Sequence, residues 1–196
     1  MGKTTLAMQF LLEGRRRGEV CLYVTLSETM REFQGVAASH GWDLDGISII
    51  DLLSVERAIG TETTTLYQTA EVELTQLTKL LFDEIERNRP RRVVIDSLSE
   101  MRMLAQSPLR YRREVLKLKR RLGDMGCTVF LLDDRSSEGT DIQVHSIVHG
   151  ALSLNMAPLK YGIFRRTLTV TKIRGVQFRE GSHDYVIKKG GLQVYA

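Results

Sequence analysis

Apolar residues along the chain follow two spacings, one typical of buried strands and one typical of helices. Continuous apolar runs predict strands at residues 20–26, 47–52, 92–97 and 128–132. Apolar residues three or four positions apart predict helices at residues 4–17, 30–40, 74–85 and 108–122. Strands and helices therefore alternate, which predicts an α/β domain with a largely parallel sheet flanked by helices.

The last third of the chain has a different pattern. Short strand-like segments at residues 150–155, 166–172, 184–187 and 192–195 follow one another, and Gly190-Gly191 predicts a hairpin turn before the last of them. We therefore expect an antiparallel, β-rich C-terminal part. Residues 54–69 are rich in Thr, Gly and Glu, which predicts a long surface loop.

Composition adds modest constraints. The 196 residues are expected to form a single domain, 1–196. The 28 basic and 24 acidic residues leave a mild positive charge, which does not demand a nucleic-acid partner. Cys21 and Cys127 lie in apolar runs and predict reduced, buried thiols. With no signal peptide and no apolar stretch that could span a bilayer, we expect a cytoplasmic protein without a membrane partner.

The first residues carry the clearest chemical signal. Met1-Gly2-Lys3-Thr4-Thr5 matches the end of a phosphate-binding loop, G-x-x-x-x-G-K-[ST]. Gly2, Lys3, Thr4 and Thr5 are thus candidate residues for binding ATP, with Lys3 on the outer phosphates and Thr4 on Mg²⁺. The alternative is a start methionine, a flexible lysine and a helix N-cap.

Asp96 is the second candidate. It follows four apolar positions at the end of a predicted strand, where open α/β sheets bind their ligands. In a phosphate-loop protein an aspartate at this position holds Mg²⁺, usually through water. The alternative is an aspartate that caps a loop. The presence of Gly2-Lys3-Thr4 favours the metal role.

Six segments together indicate a family. They are Gly2-Lys3-Thr4-Thr5, Tyr23-Val-Thr-Leu-Ser-Glu-Thr29, Gly41-Trp-Asp-Leu44, Arg92-Val-Val-Ile-Asp-Ser-Leu-Ser99, Val148-His-Gly150 and Thr171-Lys-Ile-Arg-Gly175. In this order they resemble the KaiC-like branch of the RecA ATPase superfamily over essentially the whole chain. The resemblance implies a RecA-like P-loop NTPase fold that uses ATP and Mg²⁺.

The resemblance also implies roles for three charged residues. Glu28 matches the second of two glutamates that help polarise the attacking water, while Ser27 replaces the first, so hydrolysis is expected to be slow or lost. The alternative for Glu28 is an acid in the first turn of a helix. Lys172 and Arg174 resemble trans-acting fingers that reach a neighbouring subunit's γ-phosphate, which implies a ring homo-oligomer, expected to be a hexamer. The alternative for this pair is a charged, solvated strand edge.

Weaker candidates remain open. His149 could sense nucleotide or be structural, and Asp133-Asp134-Arg135 could join the active site or cap a loop. His40 and His183 lack partners at metal-ligand spacing. The basic helix 110–121 could touch nucleic acid, but a solvated face is favoured because no aromatic platform accompanies it.

In this fold a strand precedes the phosphate-binding loop, so we expect that Met1 is an internal methionine. The first strand and the start of the loop would then be missing, and the chain as it stands would bind ATP poorly. Three hypotheses follow for its function: a regulatory or signalling ATPase with an unknown protein partner, a recombination or DNA-repair ATPase that binds single-stranded DNA, and a nonhydrolysing nucleotide-dependent interaction module.

Overall fold

The protein is described by a computed structural model that covers residues 1–52, 70–134, 141–159, 162 and 164–195, with no side chains described for residues 70–73 and 141–143. The first half contains α1 (Lys3–Arg16), β1 (Cys21–Thr25), α2 (Met30–His40), β2 (Ile47–Asp51), α3 (Ala70–Asn88) and β3 (Arg92–Asp96). The second half contains α4 (Leu98–Ala105), α5 (Pro108–Asp124), β4 (Thr128–Leu131), α6 (Asp141–Ile147), β5 (Gly150–Pro158), β6 (Phe164–Ile173), β7 (Ser182–Lys188) and β8 (Gly191–Tyr195). The predicted loop at 54–69 lies outside the described residues.

Four strands form a parallel sheet in the order β2-β1-β3-β4. Thr25 of β1 is in register with Asp51 of β2 and with Asp96 of β3. The carboxyl ends of these strands therefore meet at one edge of the sheet, where ligands bind in folds of this class. This arrangement confirms the predicted α/β class.

Helices cover both faces of the parallel sheet. Side chains alternate along a strand, so Leu22 and Val24 of β1 face one layer while Cys21 and Tyr23 face the other. The first layer packs on α3, α4, α5 and α6, and the second packs on α1 and α2. All five residues of β1 are buried, as its continuous apolar run predicted.

The C-terminal strands form an antiparallel sheet in the order β5-β6-β7-β8, which confirms the predicted β-rich part. This sheet contacts α1 through an apolar group that joins Leu6 to Leu168, Tyr185 and Leu192. Gln9 of α1 adds two hydrogen bonds. Its Oε1 accepts from the backbone N–H of Leu192 at 2.8 Å, and its Nε2 donates to the carbonyl of that residue at 3.2 Å. Helix α1 thus connects the two sheets.

Local signals explain both ends of α2 and the start of α5. Thr29 and Glu32 form a reciprocal capping box at the start of α2, and Gly41 ends that helix with a left-handed φ of 71°. Ser107 accepts from the N–H of Arg110 at the start of α5. The sequence patterns did not predict α4 or α6, and they ended β5 three residues before its observed end at Pro158.

Candidate nucleotide site

Gly2 sets the geometry of the chain's entry into α1. It has a left-handed φ of 104°, and its carbonyl accepts from the N–H of Leu6 at 3.0 Å. A Cβ at this position would lie 2.7 Å from Cδ1 of Ile187 on β7. Only glycine combines this φ with so close an approach.

Lys3 begins α1 and extends towards the end of β4. Its Nζ donates to the carbonyl of Asp133 at 3.1 Å and forms an ion pair with the carboxylate of Asp134. Three quarters of the Lys3 side chain is buried. The ammonium group therefore lies beside the carboxyl edge of the parallel sheet. Thr5, the third residue of the helix, is buried.

Asp96 lies at the same edge, almost fully buried at 7% exposure. Its Oδ2 accepts from the hydroxyl of Tyr23 at 2.5 Å and from that of Thr4 at 3.4 Å. Burial raises the pKa of Asp96, while the Tyr23 hydrogen bond, the charge of Lys3 and the Thr4 hydrogen bond act in the opposite direction. Lys3 and Thr4 thus converge on one site with Asp96, which is distant from both in the sequence.

Glu28 lies in the turn after β1, half-buried and near Asp96. Burial, followed by the charges of Asp96 and Glu32, raises the pKa of Glu28. Its Oε2 is buried and has no hydrogen-bond partner among the residues that the structure describes. Ser27, beside it, is exposed. Burial therefore disfavours the charged form of this carboxyl group, and no donor in the described part of the chain compensates at Oε2.

Thr25 orients this turn. Its hydroxyl accepts from the N–H of Glu28 at 2.8 Å and from that of Ser27 at 3.3 Å. The same hydroxyl lies 3.1 Å from the carbonyl of Glu28. Neither Thr25 nor Tyr23 was singled out from the sequence, because both lie inside an apolar run that reads as core.

Lys172 and Arg174 lie elsewhere, at the last turn of α6. Lys172 Nζ donates to the carbonyl of His145, and Arg174 Nη2 donates to that of Ser146 at 2.8 Å. The N–H of Arg174 also donates to the carbonyl of His149, whose side chain is exposed. No described contact joins this pair to Lys3 or Asp96 within the chain.

The backbone carbonyl and the side-chain carboxylate of Asp133 have different partners. Its carbonyl accepts from Lys3, while its carboxylate forms an ion pair with Arg102 of α4 and lies 3.4 Å from the hydroxyl of Ser99. The Arg102 guanidinium in turn lies over the ring of Tyr111, 5.3 Å from its centroid. These contacts fix the loop that receives Lys3. Arg135 lies outside the described residues.

Comparison with known proteins now adds the family. The sequence profile described as the KaiC ATPase matches residues 1–196, the whole chain. The chain belongs to the KaiC family of ATPases. The RecA-like P-loop fold expected from the sequence motifs is thereby confirmed. The parallel sheet agrees with it, and both the family profile and a solved KaiC-like structure match the whole length of this chain.

Individual relatives of this KaiC-family chain are distant. A UPF0273 protein of Pyrobaculum aerophilum is 29% identical over 98% of this chain and 71% of its own length. The circadian clock oscillator protein KaiC of Synechococcus elongatus is 28% identical over 99% of this chain, which spans 38% of that protein. The crystal structure of a KaiC-like protein from Pyrococcus horikoshii superposes with a TM-score of 0.78 at 24% identity, covering all of this chain and 85% of the other.

The oxygen atoms brought together at the sheet edge are suitable ligands for Mg²⁺. Thr4 and Asp96 bring a hydroxyl and a carboxylate oxygen together, and hard oxygen ligands are those that Mg²⁺ prefers. Among the described residues, no group of three or more His, Cys, Asp or Glu side chains could hold a metal ion by itself. A magnesium ion here would therefore depend on water and phosphate oxygens for its remaining ligands.

Membrane insertion through a helix finds no support in the described part of the chain. None of the helices there combines the length and the apolar character needed to cross a bilayer.

Proposed function

We propose that this chain binds ATP with Mg²⁺ at the edge formed by Gly2, Lys3, Thr4, Thr5 and Asp96, and hydrolyses it slowly. The convergence of Lys3, Thr4 and Asp96 is the observation that carries the proposal. Lys3 would pair with the outer phosphates, and the N–H groups at the start of α1 would contact them. Thr4 and Asp96 would hold the magnesium ion, whose charge neutralises the phosphate oxygens.

Glu28 is the proposed aid to the attacking water. A general base works best when its pKa lies near the working pH, and both burial and Asp96 raise the pKa of Glu28 in that direction. The exposed Ser27 offers no second carboxylate. One acid in place of two supports slow turnover, and a nonhydrolysing interaction module is the second candidate that this feature favours.

Lys172 and Arg174 would act between subunits. Within the chain they contact the last turn of α6, away from Lys3 and Asp96. A head-to-tail ring, which we propose to be a hexamer, would present them to the nucleotide of the neighbour. Their charge would then stabilise the transition state only in the assembled ring.

The biological role that we propose is regulatory or signalling, in the cytoplasm, with a protein partner that is unknown. The free thiols of Cys21 and Cys127 support a reducing compartment. A recombination-type role on single-stranded DNA is less favoured, because two basic groups of α5 already form ion pairs with carboxylates. Lys117 pairs with Glu114 and Arg121 pairs with Glu86.

ATP turnover measured with and without single-stranded DNA tests these proposals. We expect slow, Mg²⁺-dependent turnover that DNA does not stimulate, and loss of that turnover in Asp96→Asn. Asp124→Asn, an exposed acid at the end of α5, is the control and should behave as the unmodified chain. Nucleotide binding without turnover would support the nonhydrolysing module, stimulation by DNA would support the recombination role, and equal turnover in Asp96→Asn would contradict the proposed site.

A further inference from the structure

The ammonium group of Lys3 is engaged by the loop that follows β4. Its Nζ forms an ion pair with the carboxylate of Asp134 and donates to the carbonyl of Asp133 at 3.1 Å. A lysine ammonium has three N–H donors, so two of them are already in use. The contact with Asp134 is the stronger kind, because both of its partners are charged. Phosphate oxygens are anionic acceptors as well, and they would compete with Asp134 for the same group.

The two neighbouring acids of this loop are held differently. Asp133 pairs with Arg102, and these side chains are only 21% and 17% exposed. The side chain of Asp134 is 56% exposed, and within the described residues its carboxylate forms an ion pair with Lys3 alone. The side chain of Asp134 can therefore turn towards solvent while Asp133 stays in place. Of the two acids, Asp134 is the one that an incoming anion can displace.

The charge of Asp134 also reaches the buried acid of the proposed site. Burial is the main cause of the raised pKa of Asp96, and the charge of Asp134 raises it further, whereas the charge of Lys3 lowers it. Lys3 thus lies close to two carboxyl groups at once. A phosphate chain beside Lys3 would meet the negative charge of Asp134, and this repulsion falls when Asp134 turns away.

We propose that Asp134 competes with the outer phosphates of ATP for Lys3, so that this one carboxylate limits how tightly the chain binds the nucleotide. The inference rests on the proposed nucleotide site and goes beyond it by assigning a residue that opposes binding. ATP binds the arrangement in which Asp134 has left Lys3. The measured affinity is therefore reduced by the fraction of chains in that arrangement.

Calorimetric titration of the full chain with ATP and Mg²⁺ tests the proposal. Asp134→Asn should strengthen ATP binding about fivefold or more, because the amide neither holds Lys3 in an ion pair nor repels the phosphates. Asp134→Glu keeps the charge and should bind ATP about as tightly as the unmodified chain. Asp124→Asn is the matched control, since it makes the same change at an exposed acid at the end of α5, and it should leave the affinity unchanged.

The sign of the change separates competition from support. If Asp134 held Lys3 in position for the phosphates, Asp134→Asn would weaken ATP binding, and either weaker or unchanged binding overturns the proposal. Equal gains in Asp134→Asn and Asp124→Asn would show a general effect of net charge and would overturn it as well. The melting temperature without nucleotide should hardly change in Asp134→Asn, because the ion pair is half-exposed on the side of the acid.

Lys3→Met separates this inference from the proposed function. ATP binding that is unchanged in Lys3→Met would count against the proposed nucleotide site itself. Binding that is weaker in Lys3→Met, together with no gain in Asp134→Asn, would leave the site standing and count against the competition alone.

Discussion

At the scale of single residues, the proposed site combines a buried acid with neighbours that partly offset the cost of burying it. Asp96 loses water at 7% exposure, and its charged form is favoured again by Tyr23, Lys3 and Thr4. Glu28 has no comparable donor in the described structure. Burial raises the pKa of both carboxyl groups, but at Asp96 two hydrogen bonds and the charge of Lys3 oppose that rise, whereas no described donor does so at Oε2 of Glu28.

Replacing Tyr23 by phenylalanine isolates the hydrogen bond to Asp96. The ring would keep its edge-on contact with Phe33, whose centroid lies 4.3 Å away. Loss of a hydrogen bond to a buried charged group should destabilise the fold by about 1–3 kcal/mol, and the pKa of Asp96 should rise further. Urea unfolding measures the change. Tyr195→Phe, at an exposed tyrosine, should change stability little, and equal effects of the two variants would refute the importance of this bond.

Glu28→Gln should stabilise the fold while lowering ATP turnover. The folded chain holds the Glu28 proton more tightly than the unfolded chain, whose pKa is near the ordinary 4.5. Stability therefore falls as pH rises from 4.5 through the folded-state pKa, and glutamine removes this loss. The variant should match the unmodified chain below pH 4.5 and exceed it above the folded-state pKa.

Thermal unfolding across this pH range, in the absence of nucleotide, follows the Glu28→Gln difference directly. Glu100→Gln, at an acid on α4 outside the site, is the control and should not reproduce the profile. A gain of stability that is already complete below pH 4.5 would show that the charge of Glu28 is not its cause.

At the scale of elements, α1 joins the proposed nucleotide site to the antiparallel sheet. Gln9 bonds both backbone groups of Leu192, and a Cβ on Gly191 would meet the Gln9 side chain at 2.5 Å. The two hydrogen bonds from Gln9 take the place of a neighbouring strand at the start of β8. The position of α1, and with it that of Lys3, therefore depends on residues near the end of the chain.

Gln9→Ala should cost about 1–3 kcal/mol of stability, because it leaves the N–H and carbonyl of Leu192 without their partner. Amide hydrogen exchange should be faster at Leu192. In a separate measurement, the variant should unfold at a lower urea concentration. Gln193→Ala, on an exposed residue of the same strand, should leave both unchanged. Protection of Leu192 that survives Gln9→Ala would contradict the coupling.

The elements that could be predicted from the sequence are those with strong local signals. A continuous apolar run indicated β1, and Ser107-Pro108 indicated the start of α5. Helix α4 escaped prediction because it has eight residues and Ser97 caps it without a side-chain hydrogen bond, so tertiary packing stabilises it. In the site, too, the residues that escaped prediction are those whose contacts depend on tertiary structure. Lys3 and Asp96 belong to short motifs, whereas the contact of Tyr23 with Asp96 depends on the pairing of β1 with β3.

At the scale of the whole molecule, the cations assigned to the phosphates lie in two places, with a single lysine in one and a lysine–arginine pair in the other. Lys3 lies at the edge of the parallel sheet, and Lys172 and Arg174 lie at the end of β6, against α6. A head-to-tail contact brings unlike surfaces of two copies together, so a ring could join one copy's Lys3 site to the next copy's Arg174. The active unit would then be an interface rather than a chain.

Mixing two inactive variants tests this arrangement. Asp96→Asn lacks the acid of its own site but keeps its fingers, and Arg174→Met keeps its site but lacks a finger. Each alone should show little ATP turnover. In an equal mixture about a quarter of the head-to-tail interfaces would pair an intact site with an intact Arg174, so turnover should rise towards that fraction of the unmodified level. A mixture of Asp96→Asn with Lys3→Met, both altered in the same site, should stay inactive. If the first mixture also stays inactive although an affinity-tagged copy of one variant co-purifies with the untagged other variant, Arg174 does not act across the interface, and the finger role proposed for it must be abandoned.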